Sequence, residues 1–160
     1  RISVLIIPTA VGGSSISQWI NDSTFRNVTL MTNFKEKIKI GQKYGTIKGI
    51  LWHQGENDAT TQETIEIYNK QLQKLFTIFR NEIANNELPI IIGELGSFSM
   101  TDDNWQAINS KIEEYIETDP NAYLIKTNDL KDKGDKVHFD SEGLREIGRR
   151  FAGQFVKTQE

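Results

Sequence analysis

The sequence predicts an α/β fold in which helices cover both faces of a parallel sheet. Two observations lead to this prediction. Short apolar runs rich in β-branched residues alternate along the chain with segments whose apolar residues recur every three or four positions. The runs have little internal polarity, as is typical of strands buried on both faces. A length of 160 residues suits one domain with a full core.

The first part of the chain predicts one strand and one glycine-containing turn. The run Ile2–Ile7 is closed by Pro8 and predicts a buried strand. Residues 12–15, Gly-Gly-Ser-Ser, predict a tight turn, with either serine capping a short helix. Residues 20–33 are polar and predict irregular structure, and residues 34–44 predict a short surface helix.

The middle of the chain predicts a second strand followed by the most regular helix. The strand covers Ile47–Trp52. Thr60 and Glu63 have the spacing of a capping box. Beyond them, spacings of three and four indicate an amphipathic helix through the apolar residues Ile65, Tyr68, Leu72, Leu75, Phe76, Phe79 and Ile83.

The last part of the chain predicts two more strands, each followed by a helix. The third strand is Leu88–Glu94, with Pro89 at its entry, and the fourth is Ala122–Ile125. Asp119-Pro120-Asn121 ends the helix between them. The apolar positions of the two helices are Trp105, Ile108, Ile112, Tyr115 and Ile116 in the first, and Leu144, Ile147, Phe151 and Phe155 in the second.

Composition excludes several classes of function. The formal net charge is −3, without the basic surface typical of nucleic-acid binding, so we expect no nucleic-acid partner. No apolar run approaches the roughly 20 residues of a membrane span, and we expect no membrane partner. The chain has no cysteine, which excludes disulfides, zinc–thiolate sites and a cysteine nucleophile.

Asp135 and His138 are the first pair of residues that could carry chemistry. A separation of three lets one turn place the carboxylate against the imidazole, where it would fix the tautomer and leave the other ring nitrogen as a general base. The alternative interpretation is a surface loop in which Asp140 caps the next helix. Spacing alone favours this second interpretation.

The segment 53–58 brings polar groups to the end of the second strand, where ligands bind in open α/β sheets. Gln54 and Gly55 offer oxyanion-hole donor types, a side-chain amide and a backbone N–H. Glu56 and Asp58 could orient neighbours or contact a hydroxylated ligand; turn and cap chemistry is the alternative. His53 is expected to be packed and hydrogen-bonded, and its spacing from the two acids matches no recognised metal site.

Two further groups leave alternatives open. Gly12-Gly13-Ser14 follows a strand and could bind phosphate, but both nucleotide-binding glycine patterns are missing, which disfavours that interpretation. Glu94 and Ser97 follow the third strand at the same predicted edge. Acidic residues there could pair with backbone amides or line a sugar pocket.

Together these segments resemble the SGNH-hydrolase superfamily, and within it the sialate O-acetylesterase and acetylxylan-esterase branch. The W-x-Q-G-E-x-D element is the most specific part, and the order and approximate spacing of all elements agree. The matching segments are Gly12–Ile16 with Trp19, Trp52–Asp58, and Asp135–Phe139 with Gly143.

The resemblance implies a three-layer α/β/α sandwich with a flavodoxin-like parallel sheet. It implies removal of acetyl groups from carbohydrate hydroxyls by a serine hydrolase that needs no cofactor and no metal. Members of the branch are often exported, which implies a secreted or periplasmic location. The implied base is His138, oriented by Asp135, and the implied oxyanion donors are the Gly13 backbone and the Gln54 side chain. The implied pocket or supporting residues are Gly12, Ser14, Glu56, Asp58 and Glu94.

One departure from the family pattern concerns the nucleophile. The family carries its serine in a G-Q-S-N type element on the first strand, and the chain has no such element. Ile2–Ile7 corresponds to the family's second strand, so the missing first strand would lie between it and Ile47–Trp52. We therefore expect residues 1–160 to be the carboxyl-terminal portion of a single esterase domain, inactive alone or completed by a preceding segment or another chain. The alternative is a non-catalytic carbohydrate-binding or interaction module on the same fold.

Overall fold

The computed structural model describes residues 3–160 and contains six α-helices and five short strands within that range. A single 3₁₀ turn, Asp58–Thr60, precedes the third helix. In chain order the elements are α1 (Ile16–Ile20), β1 (Thr24–Phe25), β2 (Val28–Thr29), α2 (Leu30–Gly41), β3 (Ile50–Trp52), α3 (Gln62–Glu66), α4 (Tyr68–Ile83), β4 (Ile90–Gly93), α5 (Asp102–Ile116), β5 (Ala122–Ile125) and α6 (Ser141–Lys157).

The main sheet is parallel, in the order β3-β4-β5, and lies between two layers of helices. The alternation of side chains along β4 explains the layers. Ile90 and Ile92 belong to the larger core with α1, α2, α4 and α5, whereas Ile91 packs with Ile147 and Phe151 of α6 on the opposite face. The α/β/α sandwich expected from the sequence is confirmed.

The prediction of a buried first strand is wrong for the described part of Ile2–Ile7; Ile2 itself lies outside the described residues. Residues 3–11 have no regular secondary structure, and Val4, Leu5 and Ile6 are 72%, 62% and 78% exposed. The segment lies against α2, where the Ile7 side chain contacts Gly41. No strand within residues 3–160 pairs with it, so no ladder satisfies its backbone groups.

The second strand has an open edge. β3 pairs with β4 through Ile50↔Ile90 and Trp52↔Ile92, and within residues 3–160 it has no partner on its other side. Leu51 is 53% exposed there, and the strand begins at Ile50 rather than Ile47. Exposed strand edges and apolar side chains of this kind normally acquire a covering element.

Residues 20–33 are more ordered than their polar composition predicts. They form the β1–β2 hairpin, and α2 begins at Leu30. The Asp22 carboxylate anchors the hairpin by accepting hydrogen bonds from the backbone N–H (2.8 Å) and the hydroxyl (2.6 Å) of Thr32. Sequence patterns do not show such long-range side-chain contacts.

The helix predicted after Trp52 is divided in two. Thr61, not Thr60, caps α3 by accepting a hydrogen bond from the Thr64 N–H at 3.2 Å. The apolar face predicted for α4 is confirmed, because all of its core positions are buried. In α6, Leu144 is exposed although Ile147 and Phe151 are buried. Across residues 3–160 the helices are all too short or too polar to cross a bilayer.

Candidate active site

Two turns meet at the carboxyl end of β3 and are tied together by hydrogen bonds. The amide of Asn57 donates to the Gly13 carbonyl at 2.7 Å, and that of Gln54 donates to the Ser14 carbonyl at 3.0 Å. In the other direction, the Ile16 N–H donates to the Asp58 carboxylate at 3.0 Å. The 12–16 turn and the 54–58 turn therefore form one unit.

Gln54 is the centre of a buried network. Its Nε2 donates to Ser14 O and, at 2.6 Å, to Asp58 Oδ2, which uses both amide protons. The hydroxyl of Tyr68 lies 2.8 Å from Gln54 O and 3.0 Å from Gln54 Oε1. Gln54 can therefore donate to a bound oxyanion only after it releases one of its present acceptors.

Asp58 supports this network from a buried position. Burial raises the pKa of its carboxyl, and the hydrogen bonds from Gln54 and Ile16 act in the opposite direction. Burial also raises the pKa of Tyr68 well above its usual value, with a further contribution from the charge of Asp58. Asp58 thus orients the Gln54 amide and ties down the start of α1.

The Gly12–Gly13 turn presents backbone donors. Gly13 has φ of +84°, which glycine adopts without strain. Gly12 and Gly13 are exposed, and neither donates its N–H to any acceptor within residues 3–160. An N–H group in this position can be offered to a developing negative charge.

Ser14 is engaged in the structure. Its side chain is buried, and its hydroxyl donates to the Val11 carbonyl at 2.8 Å and accepts a hydrogen bond from the Trp19 indole at 2.9 Å. Both interactions fix the turn that carries Gly13. Ser14 is therefore a supporting residue, and its hydroxyl is not free to act as a nucleophile.

His53 and Glu56 lie next to this unit. The His53 ring is packed, with its Nδ1 3.3 Å from the Gly93 carbonyl and its Nε2 3.9 Å from Glu56 Oε1. The carboxylate of Glu56 is partly exposed at the rim. In the range 3–160, no three His, Cys, Asp or Glu side chains are grouped so as to hold a metal ion.

Asp135 and His138 form a hydrogen-bonded pair, which a separation of three residues permits. His138 Nδ1 lies 2.7 Å from Asp135 Oδ2, and Asp135 Oδ1 accepts the backbone N–H groups of His138 (2.8 Å) and Val137 (3.0 Å). The backbone and ring of His138, followed by Val137, hold the pKa of Asp135 well below its usual range. An ionised carboxylate at Nδ1 leaves Nε2 of the exposed ring as the proton acceptor.

The loop that carries this pair is anchored to the first unit through Phe139. The Phe139 ring is buried, with its centroid 5.8 Å from that of His53 and 5.0 Å from that of Phe98. Asp140 caps α6 by accepting the Gly143 N–H at 2.7 Å, so capping and the Asp135–His138 pair coexist. The two segments singled out in the sequence therefore meet through His53 and Phe139.

Glu94 has a role at the start of the same loop. Its buried carboxylate accepts hydrogen bonds from Lys126 Nζ at 2.9 Å and from the Thr127 N–H at 3.3 Å. The hydrogen bonds that Lys126 donates to Glu113 and Glu94 raise the pKa of its ammonium group. Of the two alternatives for Glu94, pairing with the backbone and a neighbouring cation is the one that the contacts favour. Ser97 also binds this loop, through the Asn128 carbonyl at 2.9 Å.

Gly55 has no room for a side chain, and its substitution is expected to disturb the site. It has φ of +150°, and a Cβ there would lie 2.8 Å from Ile108 Cγ2 and 3.4 Å from the Tyr68 hydroxyl. We expect Gly55→Ala to lower the free energy of unfolding by about 2 kcal/mol, measured by chemical denaturation. The control is Gly148→Ala in α6, where a Cβ meets nothing within 4 Å. Equal effects of the two substitutions would contradict this reasoning.

Two contributors to the site were not predicted from the sequence. Asn57 holds the Gly13 turn, and Tyr68 binds both Gln54 oxygens. Asn57 lies between Glu56 and Asp58, which the sequence analysis names as candidate site residues, and this position is the signal that could have identified it. Tyr68 was assigned to the apolar face of a helix, and nothing in that pattern shows where its hydroxyl points.

Residues 1–157 match the family described as SASA: carbohydrate esterase, sialic acid-specific acetylesterase. The chain is 24% identical over 153 residues to a probable carbohydrate esterase of Arabidopsis thaliana, covering 96% of the chain and 55% of that protein. The crystal structure of this Arabidopsis protein superposes with a TM-score of 0.78 at 22% identity, over 91% of the chain and 58% of the Arabidopsis protein.

Two microbial structures share the fold at lower similarity. A carbohydrate esterase family 3 protein from Talaromyces cellulolyticus has a TM-score of 0.63 at 14% identity, over 91% of the chain and 68% of its own. A carbohydrate acetylesterase from Xanthomonas citri has a TM-score of 0.58 at 24% identity, over 66% of the chain and 24% of the Xanthomonas protein. The chain spans little more than half the length of the Arabidopsis relative. With its family match over residues 1–157, the chain belongs to the SASA family of carbohydrate esterases and has the SGNH-like fold.

Proposed function

We propose that residues 1–160 are the carboxyl-terminal portion of a carbohydrate O-acetylesterase, which removes acetyl groups from sugar hydroxyls. The observation that carries the proposal is the Asp135–His138 pair, because a carboxylate at Nδ1 leaves Nε2 available as a general base. The loop that bears the pair packs against His53 through Phe139. Family membership supplies the class of substrate.

In the proposed reaction, a serine from a preceding segment attacks the acetyl carbonyl carbon. His138 Nε2 takes the serine proton, and the tetrahedral oxyanion accepts the Gly13 N–H. The intermediate expels the sugar oxygen, to which His138 returns the proton, leaving an acetyl-serine. Water then attacks this ester with His138 again as base, and acetate leaves as the serine is restored. Gln54 is the second proposed oxyanion donor, after exchange of the Ser14 carbonyl for the oxyanion.

The open edge of β3 supports the position of the preceding segment. A strand lying between β3 and residues 3–7 would cover Leu51 and the exposed Val4–Ile6 run, and it would satisfy the free backbone groups on both sides. Its carboxyl end would reach the same edge as Gly13 and Gln54. The partial coverage of the Arabidopsis relative is consistent with this arrangement.

Acetate release tests the proposal. We expect a longer polypeptide that contains the upstream strand to hydrolyse O-acetylated sugars and 4-nitrophenyl acetate, and the 160-residue chain to show neither activity. The control is the longer polypeptide with the serine of the upstream element replaced by alanine. Activity that survives this replacement would contradict the mechanism. Sugar binding without hydrolysis would instead favour a non-catalytic carbohydrate-binding module.

A further inference from the structure

The loop that carries Asp135 and His138 is a hairpin closed by one antiparallel bridge. The bridge joins Asp132 to Phe139. Next to it, the Lys133 N–H donates to the His138 carbonyl at 2.9 Å. Phe139 is buried and Asp132 is partly buried, whereas the six residues between them are all exposed. Packing therefore fixes the base of this hairpin but not its tip, where the Asp135–His138 pair lies.

The Asp132 carboxylate holds the tip by hydrogen bonds instead of packing. Its Oδ2 accepts the backbone N–H of Gly134 at 2.9 Å and that of Lys136 at 2.7 Å. Gly134 and Lys136 are the two residues on either side of Asp135 in the chain. One carboxylate oxygen at the anchored base of the hairpin therefore fixes the backbone on both sides of the residue that orients the histidine ring.

The backbone around Asp135 has a conformation that needs this support. Gly134 has φ of +105° and Lys136 has φ of +59°. Glycine adopts positive φ without strain, but lysine does so much less often. The hydrogen bond from the Lys136 N–H to Asp132 helps to hold this strained conformation. Without the bond, the tip can relax to conformations in which the Asp135 carboxylate no longer faces the His138 ring.

The other contacts of the tip do not replace Asp132. The Lys133 ammonium lies 3.2 Å from Asp135 Oδ2, but both side chains are exposed, and an ion pair of this kind contributes little. Within residues 3–160, Asp132 Oδ2 is the only acceptor for the Gly134 and Lys136 N–H groups, and Asp132 Oδ1 accepts no hydrogen bond. The arrangement needs one oxygen atom at position 132, which an asparagine side chain also supplies.

We propose that Asp132 is a positioning residue for the general base: by holding the backbone around Asp135, it keeps that carboxylate at Nδ1 of His138. The hydrogen bond made by one ring nitrogen determines which of the two nitrogens carries the proton. With the carboxylate at Nδ1, the neutral ring is protonated there, and Nε2 is the proton acceptor. The inference rests on the proposed esterase function for its role in catalysis, and it adds a residue that contacts neither the substrate nor the His138 ring.

Kinetics of the longer polypeptide test the effect on turnover of 4-nitrophenyl acetate. We expect Asp132→Ala to lower kcat about 10- to 100-fold, because a small displacement of a catalytic group has an effect of this size. KM should stay within about twofold. Asp132→Asn removes the same charge but keeps the oxygen, so its kcat should stay within about threefold of the unsubstituted enzyme. The matched control is Asp103→Ala, which removes an exposed carboxylate on α5. An unchanged kcat in Asp132→Ala, or an equal loss in Asp132→Asn, would overturn the proposal.

NMR of the 160-residue chain separates this inference from the proposed function, because the hairpin contacts that carry it lie within that chain. At about pH 9, well above the usual pKa of histidine, the nitrogen chemical shifts of the His138 ring report which nitrogen carries the proton. We expect protonation at Nδ1 in the unsubstituted chain and in Asp132→Asn, and a mixture of both tautomers in Asp132→Ala. The ring of His53, the other histidine of the chain, should keep its shifts and so reports that the fold is intact.

The two measurements fail independently. The expected change of tautomer supports the role of Asp132 even if the longer polypeptide hydrolyses no acetyl ester, a result that would remove only the esterase. Identical His138 ring shifts in Asp132→Ala and in the unsubstituted chain would overturn the inference and leave the esterase in place.

Discussion

Replacing His138 by alanine is expected to lower kcat for acetyl-ester hydrolysis by a factor of about 10³ in the active, longer polypeptide. The reason is that Nε2 of His138 is the only proposed acceptor for the serine proton. The side chain is exposed, so the free energy of unfolding should change by less than about 0.5 kcal/mol. Acetate release and chemical denaturation measure the two quantities.

Asp135→Asn provides the companion substitution. An amide in place of the carboxylate removes the charge and favours the wrong histidine tautomer, so kcat should fall by at most the factor of about 10³ expected for His138→Ala. The double variant should be little slower than the worse single variant, because the two residues act as a unit. Asp103→Asn is the matched control, since this exposed carboxylate on α5 has no role in the proposed chemistry. A comparable loss of kcat in Asp103→Asn would disprove the assignment of Asp135 and His138.

Arg80→Leu is expected to have the largest effect on stability, lowering the free energy of unfolding by about 3 kcal/mol. Arg80 on α4 forms a bidentate pair with Asp119, with N–O distances of 2.6 and 3.2 Å, and donates to the Leu88 carbonyl at 3.1 Å. Asp119 also accepts hydrogen bonds from the Tyr115 hydroxyl and the Asn121 N–H. Removing the arginine leaves a buried carboxylate without its cation.

The pH dependence of this effect has a definite sign. Burial would raise the pKa of Asp119, but hydrogen bonds from Arg80 and Tyr115 outweigh it and hold the pKa below its ordinary value. The carboxylate therefore stabilises the fold above its unfolded pKa of about 3.9, and this contribution is lost as the pH falls through the folded pKa. The difference between wild type and Arg80→Leu should shrink below about pH 4. Arg145→Leu is the control, and an equal loss there would contradict the argument.

The periodicity of apolar residues predicted the elements whose buried face follows directly from that spacing. The core face of α4 and the bounds of Ala122–Ile125 agree with the structure because their apolar spacing alone determines burial. The strand predicted at Ile2–Ile7 is not formed in residues 3–7, because the strand that would pair with it is the one expected to be missing between it and β3. The hairpin in residues 20–33 was missed because its anchor is the contact of Asp22 with Thr32, ten residues away.

In the candidate site, too, the sequence indicates contacts between neighbouring residues but does not reveal contacts between distant segments. The Asp135–His138 contact is one that a separation of three permits. The contact of the 12–16 turn with the 54–58 turn was not predicted, because residues 3–11, which precede the first turn, form no strand. The commitment of both Gln54 amide protons could not be predicted, because it depends on the Ser14 carbonyl and the Asp58 carboxylate converging on the amide from separate elements.

The three hydrogen bonds between the 12–16 and 54–58 turns also bear on the entropy of ligand binding. They join residues about forty positions apart, and Asp58 and Ser14 are buried within them. Groups that are already fixed before a ligand arrives lose little conformational freedom when it binds, so more of the interaction energy remains as affinity. Loops held only at their ends would have to become ordered with each binding event. This end of β3 is preorganised before any substrate is present.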